Sequence, residues 1–333
     1  MSFIERVDSF QQQHRVVGFP LAVFYKYFDD QGGYLAALVA YYGLLSLFPL
    51  LLLASTILGL VLNGDPELQR QVLDSALGQF PGIGKDLAQP GRIGGGTVGL
   101  VVGILGSLYG GLGVAQAVQN MMNTAWAIPK NSRPNPFKAR ALSLALLGVI
   151  GLSVIATTAL TAIVNGAGGI ADDLGIVFKV AVLAATVALN ALVFAFAFRL
   201  ATARELSLRD VAPGALLAAV AWSALQGFGA SYVASVSSSG SATNGAFGIV
   251  LGLIAFLYLA STIIVLCVEV NVVRLRRLYP RTLLTPFTDE VDLTAGDKRA
   301  YTGLAEAQRS KGFQDVDVSY GPRPGGADEE AAS

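Results

Sequence analysis

The sequence predicts an all-α, polytopic membrane protein: a bundle of six transmembrane helices. Three observations carry that prediction. First, 53% of the 333 residues are hydrophobic and only 14% are charged, whereas soluble domains carry about a quarter charged residues; the mean hydropathy is +0.57. Second, six runs contain no charge: Gly33 to Leu62, Ile93 to Ile128, Leu142 to Val164, Val180 to Phe198, Val211 to Val236 and Ala246 to Val268. Crossing about 30 Å of hydrocarbon takes roughly 20 helical residues, which these runs supply. Third, barrel strands would be about 10 residues long with strict polar alternation, and the runs have neither property.

Lysines and arginines orient the bundle. With both termini in the cytoplasm, Arg6, Arg15, Lys26, the acid-free loop Lys130, Arg133, Lys138, Arg140, then Arg199, Arg204, Arg209 and finally Arg274, Arg276, Arg277, Arg281 all fall inside. Only Arg70, Lys85, Arg92 and Lys179 fall outside among the loops between spans. The positive-inside bias therefore predicts a multi-pass membrane protein with both ends cytoplasmic.

In chain order, residues 1–32 set Val16, Phe19, Leu21, Phe24, Tyr25 and Phe28 among charges, a pattern that suits a cytoplasmic interfacial helix. Residues 33–280 form the six-helix transmembrane domain. In its first outer loop, "DPEL" offers Asp65 as N-cap and Pro66 at the first helical position, and Leu68, Val72, Ala76 and Phe80 recur every fourth residue. This predicts an amphipathic helix over the outer mouth. Pro49 removes one backbone bond from span 1 and is expected to kink it. Span 2 carries Gly95, Gly99, Gly103, Gly106 and Gly110 at small-xxx-small spacing, which permits close helix packing. Such faces serve contacts within a chain or between chains equally well, so a homo-oligomer stays open. Trp126 closes that span at a position expected to be interfacial. Residues 281–333 turn polar and Gly-rich, and the expectation there is a disordered cytoplasmic tail.

Scarce polar groups in the spans are the candidate site. Glu269, inside "VLCVEVN", must face the bundle interior and find a partner, because an ionised carboxylate in hydrocarbon costs several kcal/mol. Two readings stand: a structural ion pair with Arg140 or Arg199, or a place in a polar vestibule open to the cytoplasm. Tyr41, Tyr42 and Ser46 on span 1, Gln116, Gln119, Asn120 and Asn123 on span 2, and Glu269 with Asn271 on span 6 all fall toward the cytoplasmic leaflet. Deeper, Asn190, Gln226 and Tyr258 must be hydrogen-bonded within the bundle or to water.

Enzymatic readings find little support. Cys267 is the only cysteine and His14 the only histidine, which removes intrachain disulfides, cysteine metal clusters and most metal-dependent hydrolytic sites. There is no GxxxxGK[ST] loop, no GxSxG elbow and no basic-aromatic stripe for single strands. No cofactor and no nucleic-acid partner are expected; the expected partners are membrane lipids and a small-molecule or lipid substrate.

The segments "LAALVAYYGLLSLFPLL", "NTAWAI", "PGALLAAVAW" and "NGAFGIVLGLIAFLYLASTIIVLCVEVN" resemble the YihY/BrkB family of bacterial inner-membrane proteins, once mislabelled ribonuclease BN. The resemblance spans about 250 residues, and its first and last segments are similar to A-x-x-Y-x-x-L-x-S-x-F-P and G-x-E-x-N. It implies family positions at Tyr41 or Tyr42, Ser46, Phe48, Pro49, Glu269 and Asn271, and at Asn123 with Trp126. Cys267 stands where Gly is usual, and Asn244 where Tyr often precedes the Gly-Ala pair. The resemblance implies a six-helix membrane protein without established catalysis and with a suspected transport role. A transporter or flippase-like protein for an amphipathic, lipid-related molecule is the expected function. A non-transporting membrane scaffold or envelope-maintenance protein is the alternative, and a ribonuclease stands last.

Overall fold

The computed structural model describes residues 3–61, 96–166, 175–237 and 242–321. Two helices, α1 (Phe3–Gln13) and α2 (Arg15–Asp29), precede six long ones: α3 (Gly32–Val61), α4 (Gly96–Ala125), α5 (Pro136–Gly166), α6 (Ile176–Ala201), α7 (Leu208–Ser237) and α8 (Ala242–Arg276). A short helix α9 (Ala295–Ala307) follows, and the described residues contain no strand. Each long helix packs on its sequence neighbours, and α8 closes the ring onto α3. Helix α4 also touches α6 and α8 across that ring.

Among the described residues, four helical stretches are long and apolar enough to cross a membrane: Pro136–Ser153, Ile176–Ala201, Leu208–Phe228 and Val250–Arg276. The described apolar part of α3, Gly32–Leu47, is shorter. The amphipathic helix expected over residues 66–80 lies outside the described residues, as do the side chain of Pro49 and the glycine at 95.

Local chemistry starts and stops the helices. Asn135 caps α5, its Oδ1 accepting from the Lys138 N–H at 2.8 Å, with Pro136 at the first helical position where no N–H is needed. Gln31, with φ of 55°, ends α2 and turns the chain straight into α3. Helices α3 and α4 come together at Gly110, where an added Cβ would stand 2.6 Å from Ser46 Cα; only hydrogen fits between two backbones that close.

Helix α7 contains Pro213 near its start, so the carbonyl of Arg209 loses its helical donor. Helix α8 supplies the repair. Arg274 donates to the Arg209 and Asp210 carbonyls at 2.8 and 3.2 Å, while Asn271 accepts from the Gly214 N–H at 2.8 Å and donates to the Val211 carbonyl at 3.1 Å.

The main core lies toward the end of the ring on which α2 and the segment after α8 pack. Met121, Met122, Trp126, Phe198, Val265, Val268 and Val272 meet there. Trp126 was expected at a membrane interface, yet it is fully buried. The reason is that α2 and the segment after α8 cover this end, so the indole packs against protein.

The expectation of disorder from residue 281 onward fails over residues 282–321. Arg281 is fully buried, held by Asp29 at 3.0 Å and by Asp297. Asp297 is also the third residue of a capping box with Thr294 that starts α9. A polar, Gly-rich composition hides this because it does not show that Arg281 and Asp297 are buried and paired, or that Leu278 and Ala300 join the core. The N-terminal segment joins the same assembly through Gln11 to the Arg281 carbonyl at 2.6 Å, Asp8 to the Leu283 N–H at 2.9 Å, and Tyr25 to the Leu283 carbonyl.

Candidate substrate cavity and the sealed charge cluster beside it

Glu269 is fully buried on α8, and its carboxyl accepts no hydrogen bond among the described residues. Its nearest cation is Lys26 on α2, with Nζ at 3.9 Å from Oε2. Lys26 in turn pairs with Asp30, and all three side chains are sealed from solvent. Burial pushes the Asp30 carboxyl above the usual carboxylate range, with the Lys26 ammonium opposing that shift. The expected partners Arg140 and Arg199 are therefore replaced. Arg199 gives its Nε to the Leu206 carbonyl at 2.7 Å, and Arg140 lines a separate cavity. The physical reason is that α2 folds back against α8 and delivers a lysine from the N-terminal segment.

That separate cavity, about 590 Å³, opens between α3, α4 and the start of α5. Of the expected site residues, Tyr42, Gln116, Gln119, Asn120 and Asn123 line it together. Leu38, Tyr109 and Leu112 supply its apolar wall, and Arg133 and Arg140 its basic rim. No Asp or Glu lines it.

Arg133 donates from Nε to the Ile128 carbonyl at 3.3 Å and from Nη1 to Asn120 Oδ1 at 3.1 Å. Burial lowers its pKa from the usual arginine value, yet a guanidinium stays charged. Gln119 ties α4 to α5 by donating to Ser143 Oγ at 2.9 Å and to the Ala139 carbonyl at 3.0 Å. Asn123 is held by the Ala203 N–H, donating to its Oδ1 at 2.8 Å.

The remaining expected residues stand elsewhere. Tyr41 is exposed with its ring edge-on to Tyr42. Ser46 is buried and donates to the Gly43 carbonyl at 3.0 Å. Asn271 repairs the start of α7. Asn190 and Gln226 are half-buried on α6 and α7, and the exposed Tyr258 places its hydroxyl beside Gly33. None of these lines the cavity. Among the described residues, no three His, Cys, Asp or Glu side chains gather as metal ligands would.

Sequence reasoning missed Lys26, Asp30, Tyr109, Arg133 and Arg140 as members of these two groups. A signal existed for the first two: Gly18, Ala22, Lys26 and Asp30 recur every fourth residue, the spacing of one helix face. For the arginines, the signal was the acid-free loop itself.

A family model described as "Virulence factor BrkB" matches residues 23–288. The chain belongs to the BrkB family. The matched region begins inside α2 and ends beyond Arg281, so this BrkB-family chain carries both the sealed cluster and the cavity within its family region. Family membership and the apolar helices make it an integral, multi-pass membrane protein. Comparisons with curated proteins and with solved structures find no match.

Proposed function

We propose that this BrkB-family protein is a transporter or flippase-like protein that moves an amphipathic, lipid-related small molecule through the cavity between α3, α4 and α5. In this reading α3 to α8 all span a bacterial plasma membrane, and both termini face the cytoplasm. The chain is then not an enzyme and uses no cofactor. The observation that carries the reading is the cavity itself: about 590 Å³ with an apolar wall on one side and amides and arginines on the other, within the range of small-molecule sites. The basic rim supports the orientation, since positive loops face the cytoplasm.

Reconstituted liposomes test it. A fluorescent lipid analogue is expected to cross bilayers holding the protein faster than protein-free ones, and Gln116→Trp, which plugs an exposed wall position, is expected to return the rate to background. Flux no faster than in empty vesicles would reject the proposal.

A scaffold reading is favoured by one observation: Phe287 and Phe313 stand 79% and 89% exposed on the docked C-terminal segment. Replacing both with Ser would abolish a scaffold's cellular role while leaving flux intact.

A further inference from the structure

The cavity's charge identifies its occupant more narrowly. We propose that the groove between α3, α4 and α5 binds an anionic phospholipid, with the phosphate headgroup on Arg133 and Arg140 and the acyl chains along Leu38, Leu112 and Tyr109. This rests on the transport reading only for the choice of site; the binding claim stands or falls separately.

Three features lead there. First, the chemistry is graded along α4. From Tyr109 through Leu112 to Gln116 and Asn120, the wall passes from aromatic and aliphatic to amide over about 16 Å of helix. The arginines lie at the amide end. An amphipath matches that gradient; a uniformly polar solute does not.

Second, the rim is cationic without compensation. Among the described residues neither arginine is in an ion pair, and no acid lines the cavity. The larger crevice at the ends of α5 and α6 differs: there Lys138, Arg199 and Arg204 share the wall with Glu205 and Asp210. An uncompensated pair of guanidinium groups beside hydrocarbon calls for an anion, and a phosphodiester fits the planar fork of arginine.

Third, Arg133 is pre-positioned. Two of its five N–H donors are held by the Ile128 carbonyl and Asn120, which fixes the plane and leaves three for a ligand. Tyr109, 69% exposed, keeps the apolar end open to the surrounding acyl chains.

The test is native mass spectrometry of the full chain in detergent, with phosphatidylglycerol and phosphatidylcholine of identical acyl chains offered at equal concentration, and inorganic phosphate as a separate arm. The expected result is retention of phosphatidylglycerol over phosphatidylcholine. In Arg133→Gln with Arg140→Gln, phosphatidylglycerol retention should drop about tenfold, the size of a charge-assisted hydrogen bond, while phosphatidylcholine retention stays unchanged. Because Arg133 also braces the Ile128 turn, Arg140→Gln alone serves as the variant with an intact fold and should lower retention severalfold. Equal retention of the two lipids, or an unchanged preference in both variants, would overturn the proposal. So would displacement of the lipid by millimolar phosphate, which would make this a free-phosphate site. Selective retention without flux would reject transport and leave the lipid site standing; flux without selectivity would do the reverse.

Discussion

Arg281 and Arg133 make the sharpest comparison in the molecule. Arg281 is fully buried between two carboxylates, Asp29 and Asp297, and its neighbours Tyr25 and Tyr301 stand under the guanidinium. Arg133 is half-buried, meets one amide oxygen and one carbonyl, and lines an acid-free cavity. Both residues lie in polar loops next to helix ends, and both would read as positive-inside markers. One is a clamp whose electrostatics are closed within the protein. The other leaves charge and donors unspent, which is how a ligand-binding arginine differs from a structural one.

Breaking the closed side should have the largest effect. Arg281→Met leaves Asp29 and Asp297 without their cation in a buried setting, a loss of about 3–5 kcal/mol. The melting temperature in detergent should fall sharply, and protease should cut near residues 282–294 before the bundle unfolds. Next comes Asn271→Ala, which strands the Gly214 N–H and the Val211 carbonyl beside Pro213. Each unsatisfied buried group costs about 1–3 kcal/mol, so a clear loss of stability is expected by the same melt.

Thr294→Ala removes the α9 cap at a cost of about 1 kcal/mol, and should speed amide exchange in α9 while leaving the bundle unchanged.

The pH dependence of stability separates the two sides as well. Burial raises the Asp30 carboxyl, so the folded protein holds that proton to a higher pH than the unfolded chain, whose value is about 3.9. The folded state therefore binds more protons in that window, and this group's contribution to stability declines as pH rises from about 4 through the folded value. Melting profiles against pH should show that decline in the wild type and a flatter slope in Asp30→Asn. Smallest of all is Arg140→Gln, expected within about 0.5 kcal/mol of wild type in stability because the residue is exposed and unpaired. Its effect should appear in lipid retention alone.

Much of this could be read from the chain. Charge-free runs placed the long helices because hydrocarbon leaves backbone groups no partner but their own helix. The residue types near Gln116, Asn120 and Asn123 pointed to a polar region at the end of α4, and these do share a cavity. Glu269 was correctly expected to face inward, but its cation came from Lys26, 243 positions earlier. No local pattern encodes such a pairing, since it depends on how α2 folds back on α8. The order in residues 282–321 was hidden for a related reason. It involves Arg281, Asp297 and Asp29, three charges that composition counts as solvent-facing, together with the buried Leu278 and Ala300. Asn271 carried a family pattern, but its work at the Pro213 break required knowing that α7 and α8 are neighbours.

The central claim is that one polar region is sealed and the other is open. Maleimide labelling of the purified protein measures this directly, comparing native Cys267, buried two residues from Glu269, with Gln116→Cys made in a Cys267→Ala background. The account expects rapid modification at position 116 and none at Cys267 until the fold is disrupted. Equal labelling at the two positions, or protection at position 116, would contradict it.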